Sequence, residues 1–190
     1  MQITEQQFEE IKALVIQETG ASVYFYDKRK FSGKLEGYAL LDSNPPHICV
    51  CRSNDKLCFN RATLVMLHEY GHIIDLMKNK KTKRVQNTFK LDPTFRGKEW
   101  KFKLSRQEKI WLIKDEWYAD FYAMKFVKKN DLLYLYEKFL IEQTVDVRCI
   151  YTEIVLGKDV SREITRAWRR ELKANMQIVK LSDIDRLQYV

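Results

Sequence analysis

The feature that most constrains this chain is the pentapeptide HEYGH at residues 68–72, which lies in a proline-free, helix-forming run over residues 61–78. Side chains four residues apart share one face of a helix, so its two imidazoles can be directed at the same point. Two neutral imidazoles in this arrangement suit a zinc ion, and the intervening Glu69 can accept a proton from an attacking water. The pattern therefore predicts a metal-binding helix.

The residues around the pentapeptide predict where this helix begins and how it is buried. Asn60 is the expected N-cap. Leu64, Leu67 and Ile74 make most sides of the helix apolar, which is typical of a buried central helix. Gly71 costs about 1 kcal/mol relative to alanine inside a helix. Either the close approach of a backbone or substrate, or a tight packing contact, is the expected reason for it.

A second helical motif offers the third metal ligand. Glu116 and Asp120 are four residues apart and share a helical face. Glu116 would complete a His2Glu set with His68 and His72 and leave one zinc position open, as in catalytic sites. Asp120 is placed to accept a hydrogen bond from a ligating histidine. The alternative is a solvated acidic face, but the surrounding aromatic and apolar residues favour a buried helix, where unpaired carboxylates are costly.

The HEYGH helix and the second motif, EWYADFYA at residues 116–123, together resemble the ImmA/IrrE-type zinc metallopeptidases over about residues 20–127. By that resemblance, the ligands of one zinc ion per chain are His68, His72 and Glu116. It also implies a zincin-like fold with Glu69 as the general base, and Asp120 matches a position that is Asn or Asp in the family. The chain differs from the family in the long segment between its two motifs.

The resemblance also implies a function. Members of the family often act on helix-turn-helix repressors of phages, mobile elements or stress responses. We therefore expect a cytoplasmic zinc endopeptidase that cleaves a separate DNA-binding repressor. One alternative is a zinc-containing binding module that sequesters a regulator without cutting it, although such a module has no use for Glu69. Another is a nucleic-acid-binding protein with a structural metal, and a His2Glu set also accepts divalent ions other than zinc.

Catalysis would further need a donor for the developing oxyanion and an edge for the substrate. The conceivable donors are Tyr118, Tyr151 and Arg148, together with Tyr122 and His47. The strand expected around residues 48–52 is our predicted substrate-binding edge, because extended peptides add to strand edges. The plainer alternative is a structural edge that binds no substrate.

Length and composition bound the fold class. A chain of 190 residues, 45% hydrophobic and 32% charged, fits one domain with a core that needs no disulfides. No run approaches the roughly 18 apolar residues of a membrane span, and the polar N-terminus does not read as a signal peptide. The four cysteines do not form a disulfide scaffold. We therefore expect a cytoplasmic protein without a membrane partner, in an oligomeric state that the sequence leaves open.

The hydrophobic patterns predict an α+β fold: a small, mainly antiparallel sheet packed on a helical bundle, in one domain over residues 1–190. The expected helices cover residues 4–18, 61–78, 105–129, 131–143 and 161–174. The expected strands cover residues 23–26, 37–41 and 48–52.

Positive charge is concentrated in an insertion at about residues 78–103, between the two motifs. This segment holds ten Lys or Arg against two acidic residues, which equals the formal net charge of +8 of the whole chain. The predicted partner surface comprises Lys80, Lys81, Lys83 and Arg84. Three interpretations are open: a lid that attracts an acidic protein substrate, a weak nucleic-acid contact, or a solvated loop without a partner.

Overall fold

The computed structural model describes residues 2–27, 37–52, 58–88, 104–175 and 184. They belong to two compact units, residues 1–78 and 79–190, which are described in turn. The chain is mostly helical with one small sheet, which confirms the α+β class. No helix in these ranges is both long and apolar enough to span a membrane. The single-domain organisation stays a prediction.

Helix α1 spans Glu5–Thr19 and is defined at both ends by local chemistry. The Thr4 hydroxyl accepts a hydrogen bond from the Gln7 backbone N–H at 3.2 Å, and the Gln7 side chain accepts one from the Thr4 N–H at 3.0 Å. This reciprocal pair is a capping box. Gly20 ends the helix with a φ of 67°, a left-handed conformation that glycine adopts without a Cβ clash. The predicted helix is confirmed.

The sheet has three strands in the order β1–β3–β2. The strands are β1 (Ser22–Asp27), β2 (Gly37–Leu40) and β3 (His47–Arg52). Strand β3 pairs with β1 in parallel and with β2 in antiparallel register. The sheet is therefore mixed, and the prediction of a mainly antiparallel sheet is wrong.

The position of β3 at the centre of the sheet explains this error. Consecutive strands would form an antiparallel meander if each paired with its neighbour in sequence, but β3 lies between β1 and β2. Ile48, Cys49 and Val50 are all buried, so β3 is covered on both faces. Consecutive apolar residues are typical of such a strand, whereas alternation marks a strand with one solvated face.

Helix α2 spans Phe59–Asn79 and carries the HEYGH pentapeptide. It is buried along most of its length, as predicted. It begins before Asn60, however, so the predicted N-cap is wrong. The Asn60 side-chain oxygen instead accepts a hydrogen bond from the Ile3 backbone N–H at 2.6 Å and ties the N-terminal segment to α2.

Three aromatic rings join α1, β1 and α2 in the core of the first unit. Phe8 is fully buried, and its ring centroid lies 5.7 Å from that of Phe25 and 5.6 Å from that of Phe59. Ile11 and Val15 continue the buried stripe of α1. Because this core holds α2 against the sheet, it also sets where the pentapeptide lies.

The second unit is helical over its described residues. Its helices are α3 (Lys83–Thr88), α4 (Arg106–Lys129), α5 (Tyr136–Ile154) and α6 (Arg162–Asn175), with a short 3₁₀ helix at Leu133–Leu135. Ser105 caps α4 through a capping box with Glu108. Residues 78–88 of the predicted basic insertion form the end of α2, a turn and α3, whereas residues 89–103 lie outside the described part of the chain.

Helix α5 continues to Ile154, well beyond the predicted end at residue 143. The residues that follow include Thr144, Val145 and Val147, which are β-branched and have low helix propensity. All three are buried, and burial against neighbouring helices outweighs a propensity difference of a few tenths of a kcal/mol per residue.

The thiol of Cys149, on α5, is expected to resist alkylation in the folded protein. Burial, and then the negative charges of Asp146 and Glu153, raise its pKa from 9.0 to about 12. We expect iodoacetamide at about pH 8 to modify exposed Cys58 while Cys149 reacts at least about 100-fold more slowly, because little thiolate is present. Mass spectrometry of the alkylated peptides measures both rates.

Denaturation in urea is the control for this prediction and should make the two rates similar. Since the folded pKa of Cys149 is raised, the stability linked to its thiol is present below about pH 9 and is lost as the pH rises toward 12. Equal reactivity of Cys58 and Cys149 in the folded protein would contradict the burial of the Cys149 thiol.

Candidate metal centre

The two histidines of the pentapeptide lie on one face of α2. The Nε2 atoms of His68 and His72 are 3.2 Å apart, and the rings are nearly perpendicular, at 86°. Two ligands of a tetrahedral zinc ion with Zn–N bonds of about 2.0–2.1 Å are separated by about 3.3 Å. The observed separation therefore fits two nitrogens that share one ion. A hydrogen bond from one ring to the other would have a similar length.

Glu69 is buried beside the edge strand β2. Its side chain is 8% exposed. A Cβ added to Gly37 of β2 would lie 3.4 Å from Oε1 of Glu69, 2.3 Å from Cγ1 of Val65 and 2.9 Å from the backbone oxygen of Cys49. Only glycine leaves room at this position, because larger residues would strike both the helix and the neighbouring strand. Strand β2 therefore runs directly past the Glu69 carboxylate.

This arrangement corrects the predicted substrate edge. Strand β3, which contains residues 48–52, is paired on both sides and cannot accept a further strand. Strand β2 is at the end of the sheet order and lies next to Glu69. The only sequence signal for this placement is Gly37, which local reasoning cannot distinguish from an ordinary turn residue.

The predicted ligand group can hold a metal ion. Its members are a set of side chains that could supply the ligands of one ion: His68, His72 and Glu116. A second group of the same kind combines His68 with Asp120 and Asp146. Asp120 is 1% exposed, so its carboxylate lies in the interior, as the aromatic surroundings predicted. Two nitrogens and one carboxylate oxygen are a donor set that zinc accepts.

Asp146 was not identified from the sequence. It lies on α5 of the second unit and belongs to the second ligand group. The signal that could have found it is a single carboxylate within the otherwise uncharged run at residues 144–147. Asp146 is half-buried, and the sequence does not show which group its carboxylate faces.

The predicted oxyanion donors have different surroundings. Arg148 contacts the Glu171 carboxylate at 3.3 Å and thereby links α5 to α6. Tyr151 is buried in the helical core of the second unit. The Tyr118 ring lies 4.4 Å beneath the guanidinium of Arg84. None of these contacts selects a donor, so the oxyanion role stays a prediction.

Three of the four members of the predicted basic surface are exposed, and the fourth is mostly buried. Lys80, Lys81 and Lys83 are exposed. The Arg84 side chain is only 10% exposed, and its Nη1 contacts Oδ1 of Asp115 at 2.9 Å. This ion pair holds α3 against α4, and removing the carboxylate would leave a mostly buried positive charge without its partner, which would destabilise the fold. Arg84 was predicted to lie on an exposed partner surface, but its guanidinium instead pairs with Asp115.

Comparison with known proteins adds no family to these observations. Neither the family models, nor the curated proteins, nor the solved structures contain a match to this chain. A functional assignment therefore depends on the ligand group and on Glu69. The resemblance to ImmA/IrrE-type metallopeptidases stays a hypothesis.

Proposed function

We propose that this protein is an intracellular zinc-dependent endopeptidase with a zincin-like fold. The observation that carries the proposal is the separation of 3.2 Å between the Nε2 atoms of His68 and His72, with buried Glu69 next to the first of them. This separation is that of two ligands on a tetrahedral ion. A third ligand from Glu116 gives the His2Glu set that leaves one metal position open.

The chemistry of the donor set fits zinc. His68, His72 and Glu116 would hold the ion in this proposal. When bound, zinc acts as a Lewis acid toward the scissile carbonyl and makes water nucleophilic near neutral pH. A carboxylate such as Asp120 that accepts a hydrogen bond from a ligating imidazole would fix the orientation and tautomer of that ring.

Glu69 is the proposed general base. It would accept the proton of the attacking water and donate it to the leaving amine when the peptide bond breaks. Its position beside β2 also suggests how substrate is placed. An extended peptide along the edge of β2 would pass close to the carboxylate, since Gly37 leaves no side chain between them.

The proposed substrate is a separate DNA-binding repressor with a helix-turn-helix domain. The resemblance of the two motifs to ImmA/IrrE-type enzymes supports this choice. A second candidate is a zinc-containing module that sequesters a regulator without cutting it. The exposed lysines Lys80, Lys81 and Lys83 favour it, because they offer a docking surface for an acidic partner.

A cleavage assay on the candidate repressor separates the two. We expect zinc-loaded wild-type protein to cut the repressor and Glu69→Gln to do so about 10²- to 10⁴-fold more slowly with its zinc retained. Glu18→Gln is the matched control: Glu18 is another carboxylate of the first unit and accepts a 2.7 Å hydrogen bond from Tyr70, which an amide oxygen can also accept. Equal relief of repression by wild type and Glu69→Gln would reject proteolysis and favour sequestration.

A further inference from the structure

Helix α6 carries a stripe of positive charge that the proposed metal centre does not use. Its members are Arg162, Arg166, Arg170 and Lys173, which we call the α6 cationic stripe. At about 100° per residue they fall within about 80° of the helix circumference. All four are exposed.

The opposite side of α6 is packed against α5. Leu172 is 2% exposed and forms a core cluster with Ile141 and Val145, against which Trp168 also packs. The apolar side of the helix is therefore buried inside the second unit. A basic amphipathic helix that binds membranes needs this side free for the lipid, so membrane insertion is disfavoured.

Two arginine–glutamate contacts hold α6 in this orientation. Arg169 of α6 makes a two-pronged contact with Glu142 of α5, with N–O distances of 2.7 and 2.9 Å. Arg148 of α5 contacts Glu171 of α6 at 3.3 Å. By contrast, within the described ranges no salt bridge involves a member of the α6 cationic stripe. The stripe is thus presented on a fixed support.

One carboxylate borders the stripe. Glu163 is engaged chiefly at the start of α6, where its own backbone N–H and the Ser161 hydroxyl lower its pKa, with smaller contributions from Arg166 and Arg162. Four cations against one carboxylate leave the surface strongly positive.

The length and composition of the stripe fit a phosphate backbone. A rise of 1.5 Å per residue makes the stripe about 16 Å long, with about 6 Å between successive arginines. DNA carries one charge per about 3.4 Å of duplex axis on each strand, so a row about 16 Å long can face several phosphates of one backbone. Three of the four members are arginines, whose planar guanidinium groups bind phosphate in two-pronged contacts.

We propose that the α6 cationic stripe docks on the phosphate backbone of double-stranded DNA without reading its sequence. A regular, rigid row of arginines on an otherwise anchored helix complements a regular row of phosphates better than an irregular acidic protein surface. This surface belongs entirely to the second unit, and its function does not depend on the proposed peptidase activity. It would hold the protein on DNA, and under the proposed function, on which this one consequence rests, it would also bring the protein close to a DNA-bound repressor.

Fluorescence anisotropy with a labelled duplex of about 20 base pairs and arbitrary sequence tests the proposal on the full chain. With four phosphate contacts, the affinity should fall about 150-fold between 50 and 200 mM salt. The triple variant Arg162→Gln, Arg166→Gln, Arg170→Gln keeps one contact, so its affinity should fall only about 3- to 4-fold over this range. It should also bind more weakly at 50 mM salt.

A second triple variant is matched in charge. Lys80→Gln, Lys81→Gln, Lys83→Gln also removes three positive charges from exposed sites and should keep the wild-type salt dependence. Replacing the three arginines of the α6 cationic stripe by lysine should preserve most of the salt dependence as well. Unchanged circular dichroism and thermal midpoints verify folding, which is expected because the changed side chains are exposed.

Three results would overturn the proposal. The first is the absence of DNA binding by the wild-type protein at 50 mM salt. The second is an equal change of the salt dependence in both glutamine variants, which would mean that net charge alone drives binding. The third is displacement of the duplex by poly-L-glutamate as effectively as by unlabelled DNA, which would favour an acidic protein partner.

Discussion

Replacing His72 by alanine is expected to abolish stoichiometric zinc binding. Purified wild-type protein should contain about one zinc ion per chain, whereas His72→Ala should retain less than about a tenth of that after dialysis against zinc-free buffer. The reason is geometric: the 3.2 Å pair of imidazoles becomes a single nitrogen, and the proposed His2Glu set loses one of its three ligands. Glu116→Ala should also lose most of its zinc. Elemental analysis of the dialysed proteins measures both losses.

The third histidine of the chain provides the control. His47→Ala removes an imidazole from β3 and should leave the zinc content unchanged. Full zinc occupancy in Glu116→Ala would move the third ligand to another carboxylate, with Asp120 and Asp146 as the next to replace. Failure of the wild type to take up zinc under any reconstitution would contradict the metal centre and favour a non-catalytic binding module that holds no metal.

Gly37→Ala is expected to destabilise the first unit by about 1–3 kcal/mol. The added methyl group would lie 2.3 Å from Cγ1 of Val65 and 2.9 Å from the backbone oxygen of Cys49. Cys49 lies on the central strand β3, so its oxygen cannot retreat without disturbing the pairing of β2 with β3. The midpoint and slope of urea denaturation measure the loss.

Gly20→Ala serves as the comparison for this prediction. Gly20 has a φ of 67° and nothing within 4 Å of an added Cβ, so its replacement should cost only about 1 kcal/mol of backbone strain. Adding Val65→Ala to Gly37→Ala should remove the closest contact and recover part of the stability. Wild-type stability of Gly37→Ala would show that β2 does not lie against α2 as described.

Local chemistry made several elements predictable. Thr4 and Gly20 mark the ends of α1, and Ser105 marks the start of α4, because a cap is formed by residues within one turn of the helix end. Asn60 was also predicted to cap a helix, but it lies inside α2. Its side-chain oxygen accepts a hydrogen bond from the backbone N–H of Ile3, which is far away in sequence. The same residue type thus has two roles, and a distant partner decides between them.

The proposed site was likewise predictable from the sequence only in part. By itself, the sequence determined that the imidazoles of His68 and His72 converge, because a spacing of four residues has a fixed meaning on any helix. Only the tertiary structure decided that β3 is central, that Glu69 faces Gly37, and that Arg84 pairs with Asp115. These outcomes depend on which elements pack together, and the free energy of packing is shared among residues that are far apart in sequence.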